Sequence, residues 1–242
     1  MKNLFIVIPC YNEEKKLLTS EIVDFVKQSS AKIIFVNDGS TDKTLEKLEE
    51  IKEQIPDNIH IISNAKNIGK GNSVREGVHL ALKDVCCEYI GYFDADLSAP
   101  LDEASRLSQI AIKENKGFIM GSRVALFGYQ IKRKPLRHYL GRIVATIISL
   151  YLKMQVYDTQ CGAKILKREF AARVFKDPFL SRWLFDVEIL RRLQMDMGNL
   201  DEVVKEVPLN VWIEKGESKL NFLDLIKVPI DLVSIMIHYR KI

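Results

Sequence analysis

Residues 89–96 read Tyr-Ile-Gly-Tyr-Phe-Asp-Ala-Asp, an apolar run that ends in two carboxylates, Asp94 and Asp96. The run predicts a buried strand, and the carboxylates would emerge where that strand meets a loop. Mg²⁺ prefers oxygen ligands and is usually held by one or two carboxylates together with substrate phosphates. The pair therefore indicates a metal-bound diphosphate, although Asp-x-Asp also occurs in ordinary turns.

The same pattern, an apolar run followed by polar residues, occurs twice earlier in the chain. Leu4–Ile8 is followed by the polar cluster Pro9–Glu14, and Ile33–Val36 is followed by Asn37–Asp42. Amphipathic stretches predict helices over Glu13–Ser29, Asp42–Gln54, Gly71–Lys83 and Asp102–Asn115. This alternation predicts an α/β fold with a mainly parallel, Rossmann-like sheet and helices on both faces. Because ligands bind beyond the carboxyl ends of such strands, we expect the polar clusters to share one crevice.

Length and composition favour one large domain without a linker. The chain has 242 residues, of which 47% are hydrophobic. Its cysteines, Cys10, Cys86, Cys87 and Cys161, show neither metal-ligand spacing nor a disulfide framework. No signal peptide precedes the first strand, so we expect a reducing, cytoplasmic setting.

Several short motifs together resemble a known family. They are Ile8–Glu14, Val36–Asp42, Asn67–Gly71, Asp94–Asp96, Gly121–Arg123, Asp158–Gly162 and Arg182–Glu188. This set, in this order, is similar to the family-two glycosyltransferases of GT-A fold. The last two motifs resemble the dolichyl-phosphate and polyprenyl-phosphate β-glucosyltransferase branch. The resemblance implies a GT-A domain over residues 1–212, followed by an amphipathic helical segment, 213–242, packed on the domain or on a membrane surface.

The resemblance also implies roles for residues of the donor pocket. Pro9, Tyr11 and Glu13 would form the floor of the nucleotide pocket, and Asp38 would accept hydrogen bonds from the base or ribose. A strand-end turn with a helix cap is the alternative for this region. The loop beside the diphosphate would contain Asn67, Gly69 and Lys70. Glycine there permits close backbone approach and lysine supplies positive charge, but a plain strand–helix turn has the same sequence.

The metal site implied by the resemblance would bind Mg²⁺ or Mn²⁺. Asp96 is the first choice as ligand, and Asp94 would bridge the metal and the sugar or ribose. Ser98 departs from the pattern of mannosyltransferase relatives, which often carry glutamine there as a further ligand. The serine leaves more coordination positions to water and substrate.

Residues 115–157 contain no Asp or Glu, although the overall formal charge is only +4. The basic residues of this window are Lys116, Arg123, Lys132, Arg133, Lys134, Arg137, Arg142 and Lys153. Such a window attracts phosphate, from a substrate or an anionic membrane surface, or is a solvated basic face. No nucleic-acid-binding motif accompanies it, so we expect no nucleic-acid partner. Arg123, Arg133 and Arg137 are the candidates for holding an acceptor phosphate.

Two apolar runs, Ile143–Leu152 and Val228–Ile237, are too short to span a bilayer, which needs about twenty residues. Each run either packs on the sheet or lies in a membrane interface. Packing on the sheet is favoured for each run alone, but together, beside the basic window, the two runs are equally consistent with peripheral contact at the inner face of a membrane. A membrane-protein partner is also consistent with the resemblance, because relatives often carry transmembrane segments.

The resemblance implies an inverting enzyme that transfers glucose from a nucleoside-diphosphate sugar, UDP-glucose, to a polyprenyl phosphate for cell-envelope glycan synthesis. A phosphate acceptor is ionised near neutral pH and needs no strong base. If the acceptor is a saccharide hydroxyl, a carboxylate must remove its proton, and Asp158, Asp186 or Glu188 would do so. Transfer of mannose or another sugar to a saccharide and a catalytically silent nucleotide-sugar-binding module remain the alternative hypotheses.

Overall fold

The computed structural model describes residues 3–125, 127–132, 135–215 and 222–240. The strands are β1 (Leu4–Cys10), β2 (Lys32–Asn37), β3 (Ile59–Ser63), β4 (Tyr89–Phe93), β5 (Phe118–Ser122), β6 (Gln130–Lys132), β7 (Ala163–Lys167), β8 (Val204–Pro208) and β9 (Val211–Ile213). The helices are α1 (Thr19–Ser29), α2 (Thr44–Gln54), α3 (Lys70–Lys83), α4 (Asp102–Lys113), α5 (Pro135–Leu152), α6 (Arg168–Val174), α7 (Phe185–Met197) and α8 (Phe222–His238).

The central sheet has seven strands in the order β3-β2-β1-β4-β7-β5-β8. Its pairs are parallel, except that β7 runs antiparallel to both β4 and β5. A separate parallel pair is formed by β6 and β9. The mainly parallel, Rossmann-like sheet predicted from the alternation of apolar strands and amphipathic stretches is therefore confirmed.

Apolar side chains fill both faces of the sheet, as strands buried on two sides require. One core lies against α1, α2 and α4, through residues such as Ile22, Leu48 and Leu107. The other lies against α3, α5, α6, α7 and α8, and includes Val74 and Leu190. Helices therefore cover both faces, which completes the predicted α/β architecture.

The first helix begins later than predicted, at Thr19 rather than at Glu13. The backbone N–H groups of Glu13 and Glu14 donate to the side chains of Thr44 and Asp42, at 2.8 and 3.2 Å. These bonds tie the segment to the start of α2 and hold it as a turn. A prediction from amphipathic spacing does not include such tertiary bonds.

The antiparallel strand β7 determines what lies beside the end of β4. Its first residue, Ala163, is opposite Phe93, the last residue of β4. The segment 158–162 therefore reaches the edge of the sheet at which Asp94 emerges, and the Asp94 N–H donates to the Gly162 carbonyl at 3.2 Å.

The C-terminal helix α8 packs on the domain, and the boundary predicted at residue 212 falls inside β9. Leu232 and Ile235 are buried in the second core. Tyr239, just beyond α8, donates its hydroxyl to the fully buried Glu188 at 3.0 Å. Glu188 also accepts the N–H groups of Leu180 and Ser181, at 3.1 and 3.0 Å. One carboxylate thus joins α7, the segment before it and the end of α8.

We expect Glu188→Ala to lower the free energy of unfolding by about 3 kcal/mol, since it leaves buried donors without their acceptor. Urea denaturation monitored by circular dichroism measures this change. Glu169→Ala is the matched control, because Glu169 lies in an exposed pair with Lys167 and should change stability by less than about 1 kcal/mol. Equal losses in the two variants would show that Glu188 has no special structural role.

Candidate active site

The three polar clusters predicted from the sequence lie together at the carboxyl edge of the sheet. They follow β1, β2 and β4, which are adjacent parallel strands. The first two clusters are bonded to each other, since Thr41 N–H donates to Asn12 Oδ1 at 2.8 Å and Asn12 N–H donates to Ser40 Oγ at 3.0 Å. The three clusters therefore share one edge of the sheet, as expected.

The residues predicted to form the floor of the nucleotide pocket are at the end of β1. Pro9 lies in the strand opposite Val36 of β2, and Tyr11 follows the strand with 38% of its surface exposed. Glu13 is buried, and its N–H is held by Thr44. Of these three residues, Tyr11 thus presents the most surface to a ligand.

Asp38 shapes the neighbouring loop in this structure. Its carboxylate is buried and accepts the N–H groups of Ile68 and Gly69, at 2.7 and 3.0 Å. Both oxygens are therefore used to hold the loop that was predicted to lie beside the diphosphate. An effect of Asp38 on nucleotide binding can thus arise through the position of this loop as well as through a contact with the base or ribose.

The loop 67–70 places Lys70 in front of the carboxylate pair. Gly69 has φ +91°, a conformation that favours glycine, and Lys70 begins α3 directly after it. The Lys70 ammonium lies 2.5 Å from Asp94 Oδ1 and 5.9 Å from the centre of the Phe185 ring. Burial disfavours the charge, but Asp94 and then Asp186 hold the pKa of Lys70 above its ordinary value. Lys70 therefore stays protonated at the edge of the sheet.

Asp94 and Asp96 are positioned by different contacts. A Cβ at Gly162 would lie 1.9 Å from Asp94 Oδ2, so the carboxylate occupies space that a side chain at residue 162 would fill. Asp96 accepts the N–H of Ser98 at 2.9 Å. Burial and the charge of Asp94 raise the pKa of Asp96 above its ordinary value. The charge of Asp94 thus acts on Asp96, and a bound cation would offset it.

Within the described residues, no group of three or more His, Cys, Asp or Glu side chains could hold a metal ion. The donor set at this edge is thus two carboxylates, of which Asp94 already faces Lys70. Two carboxylates completed by diphosphate oxygens and water suit Mg²⁺ or Mn²⁺ bound together with a substrate. The residues present therefore fit a metal that arrives with the nucleotide.

Arg123, one of the predicted phosphate ligands, forms a two-pronged ion pair with Asp158. Its Nε and Nη2 lie 2.6 and 2.7 Å from the two Asp158 oxygens, and its guanidinium lies 5.5 Å from the centre of the Trp212 ring. Burial opposes the charge of Arg123, but Asp158 raises its pKa. The pair brings together two residues to which the sequence analysis gave separate roles.

Asp186, a second candidate base, belongs to a buried cluster whose charge also acts on Lys70. Its Oδ1 lies 2.9 Å from Lys164 Nζ and accepts the Tyr92 hydroxyl at 2.5 Å. Lys164 is fully buried and also donates to the Cys161 carbonyl at 2.5 Å. Burial and Asp186 raise the pKa of Tyr92 well above its ordinary value, so Tyr92 remains a donor. Asp186 thus neutralises a buried lysine inside the domain.

Two further arginines of the acid-free window, Arg137 and Arg142, lie in α5. Arg137 lies in the first turn of α5, with its side chain outside the described atoms, and Arg133 lies outside the described residues. Arg142 donates to the Tyr157 carbonyl at 2.5 Å and stacks on the Tyr157 ring at 3.7 Å. Arg142 and Arg123 therefore flank the segment 157–158 from two sides.

Several residues that build the site were assigned no role from the sequence alone. Gly162 lies inside the motif Asp158–Gly162, but only the tertiary fold shows that Asp94 fills the space beside it. Lys164 gives a weak signal, since a lysine within the strand run Ala163–Leu166 is unusual if both faces of the sheet are buried. Tyr92 gives none, because its hydroxyl partner is 94 residues away in sequence.

The model of glycosyl transferase family 2 matches residues 5–175. The chain belongs to this family.

Curated relatives cover almost the whole chain. A dolichyl-phosphate beta-glucosyltransferase of Trichomonas vaginalis is 33% identical over 248 residues, which is 97% of this chain and 71% of the relative. The enzyme of the same name from Saccharomyces cerevisiae is 31% identical over 264 residues, 98% of this chain and 75% of the relative.

Solved structures share the fold. Glucosyl-3-phosphoglycerate synthase from Mycobacterium tuberculosis, crystallised with Mn²⁺, uridine diphosphate and glucosyl-3-phosphoglycerate, superposes with a TM-score of 0.70 at 17% identity, covering 97% of this chain and 80% of that one. The match confirms the GT-A fold.

We expect Gly162→Ala to displace the Asp94 carboxylate, because the added methyl group would occupy its position. UDP affinity measured by calorimetry with Mn²⁺ should fall about tenfold, whereas affinity in EDTA should change little. Circular dichroism and the melting temperature serve as controls for folding. A folded variant with unchanged metal-dependent affinity would show that the position of Asp94 is unimportant for the donor.

Proposed function

We propose that the chain is an inverting glucosyltransferase that moves glucose from a nucleoside diphosphate, UDP-glucose, to a polyprenyl phosphate of dolichyl type. The names of the curated relatives support the sugar and the acceptor. The carboxylate pair and Lys70 at the carboxyl edge of the sheet support a diphosphate donor.

On the donor side, Asp96 and Asp94 would hold Mg²⁺ or Mn²⁺, and Tyr11, Glu13, Pro9 and the loop 67–70 would hold the nucleotide. The metal would supply electrostatic stabilisation of the leaving diphosphate. Lys70 lies at the same edge and stays protonated, so its positive charge would add to the metal's stabilisation of the leaving diphosphate. The acceptor attacks C1 of the α-linked glucose from the opposite face, the bond to the diphosphate breaks, and the product is β-linked.

The single observation that carries the choice of acceptor is the state of the candidate bases. Asp158 is paired with Arg123, Asp186 with Lys164, and Glu188 accepts backbone N–H groups and the Tyr239 hydroxyl. All three are buried and bonded within the protein. A hydroxyl acceptor needs a base beside it, whereas a phosphate monoester is already ionised at neutral pH. These contacts therefore favour a phosphate acceptor.

Arginines of the acid-free window would bind the acceptor phosphate. Arg133 and Arg137 remain the candidates for direct contact, since guanidinium binds phosphate with two parallel hydrogen bonds. Arg123 would act with them through its charge, because two of its nitrogen atoms already face Asp158. Salt should weaken this binding wherever the site is exposed to solvent.

A lipid acceptor requires contact with a membrane, and two helices offer apolar surface for it. Ile143, Ile147 and Leu150 of α5 are exposed, as are Ile230, Val233 and Ile237 of α8. None of the helices in the described residues is both long and apolar enough to cross a bilayer. We propose that these surfaces, with the basic window, rest on an anionic bilayer at the cytoplasmic face. A membrane-protein partner could share this surface.

The proposed function is tested by supplying radiolabelled UDP-glucose or GDP-mannose with polyprenyl phosphate, polyprenol or free saccharides. We expect transfer from UDP-glucose to polyprenyl phosphate alone. Transfer to saccharides or to polyprenol would replace the proposal with a base-dependent mechanism. Absence of turnover with every donor would leave a nucleotide-sugar-binding module.

The proposed metal role predicts that Asp96→Asn lowers turnover by about a hundredfold or more, as removal of a major electrostatic stabiliser does. The wild type in EDTA should lose activity to a similar extent and regain it with Mg²⁺ or Mn²⁺. Asp102→Asn is the control, because Asp102 is an exposed residue at the start of α4. Full activity of the Asp96 variant in EDTA would end the metal hypothesis.

Membrane contact is tested by flotation with vesicles of phosphatidylcholine and phosphatidylglycerol. Leu150→Glu and Val233→Glu should each reduce the bound fraction several-fold, because a carboxylate opposes both burial and the anionic surface. Val85→Glu is the control, since Val85 is 89% exposed but precedes β4, at the opposite edge of the sheet. Equal binding of all three variants would argue against contact through α5 and α8.

A further inference from the structure

Arg182 lies where the segment before α7 crosses the loop before α3. A Cβ at Gly69 would lie 2.6 Å from Arg182 Cγ, so the aliphatic part of the arginine rests directly on the glycine. Arg182 Nη2 donates to the Asn67 carbonyl at 3.3 Å, and the Gly71 N–H donates to the Arg182 carbonyl at 3.4 Å. The arginine is therefore part of the wall around the loop 67–70.

The backbone on both sides of Arg182 is held by buried groups. Glu188 accepts the N–H groups of Leu180 and Ser181. The Ser181 hydroxyl accepts the Leu184 N–H at 2.9 Å and donates to Asp231 of α8 at 2.6 Å. The position of the Arg182 backbone is thus set by contacts within the protein, before any substrate binds.

The guanidinium itself remains available for a ligand. Arg182 is exposed, and the single side-chain hydrogen bond described for it uses one of its five N–H donors. The neighbouring Lys70 is already paired with Asp94. An arginine held in place beside a paired lysine offers the planar donor pattern that matches phosphate oxygens.

We propose that Arg182 binds a substrate phosphate at this edge of the site, beside Lys70. The inference rests on the proposed function, in which both substrates carry phosphate. The phosphate belongs either to the nucleoside diphosphate, beside which the loop 67–70 is proposed to lie, or to the lipid acceptor. Arg182 would be a substrate-contacting residue, and Ser181 and Glu188 would position it.

The experiment compares Arg182→Ala, Arg182→Lys and the charge-matched control Arg173→Ala. Arg173 lies on α6 in an exposed pair with Asp196. For each variant, calorimetry measures UDP affinity, and initial rates give the Michaelis constants for UDP-glucose and polyprenyl phosphate. If the phosphate is that of the donor, Arg182→Ala should weaken UDP binding about tenfold and leave the acceptor constant unchanged. If it is that of the acceptor, the acceptor constant should rise about tenfold and UDP affinity should stay constant.

Arg182→Lys should recover part of either loss, since lysine keeps the charge but not the two-pronged geometry. The inference is overturned if Arg182→Ala leaves all three quantities as in Arg173→Ala, or if it only lowers the melting temperature. Failure of the proposed function gives a different result, because the wild type would then transfer no glucose to lipid phosphate. In that case a drop in UDP affinity would still support Arg182 as a phosphate ligand, and an unchanged affinity would reject it.

Discussion

The ion pair between Lys70 and Asp94 joins the first residue of α3 to the residue that follows β4, and the candidate site is built around it. Asp94 can take this position because residue 162 is a glycine, and Lys70 can reach it because Gly69 adopts a left-handed backbone conformation. Parallel strands bring β1, β2 and β4 to one edge, and the antiparallel β7 returns the chain to that edge. The chemistry thus depends on a few backbone positions that the fold determines.

Other buried charges in the domain form pairs in which a carboxylate neutralises a lysine or an arginine. Lys164 with Asp186 and Arg123 with Asp158 each place a cation beside a carboxylate inside the domain. Removing one member would leave the other buried without compensation, which is far more costly than losing an exposed pair. The carboxylates best placed to act as bases are thereby committed to structure. An acceptor that brings its own negative charge suits such a site better than one that must be deprotonated.

The sequence predicts the strands that precede the polar clusters, and the meeting of those clusters at one edge of the sheet, because apolar runs and polar clusters alternate regularly. It also predicts that Asp94 and Asp96 lie at this edge, because both come directly after the end of a strand. It does not predict that Asp38 holds residues 68 and 69, that Arg123 meets Asp158, or that Lys164 is buried with Asp186. Each of these contacts joins residues far apart in the chain, so each depends on strand order and on the reversed direction of β7. The late start of α1 has the same cause, since side chains of the next loop hold residues 13 and 14.

The central claim is that the acceptor phosphate, and no carboxylate of the protein, carries the negative charge that attacks the sugar. It is tested most directly by the pH dependence of turnover with polyprenyl phosphate and with polyprenyl phosphorothioate, whose second ionisation is more acidic. The account predicts that turnover rises with pH through the second ionisation of the acceptor, near pH 6 for the phosphate, and that the rise moves to lower pH with the phosphorothioate. A rise that stays at the same pH for both acceptors would assign the titrating group to the protein and contradict the account.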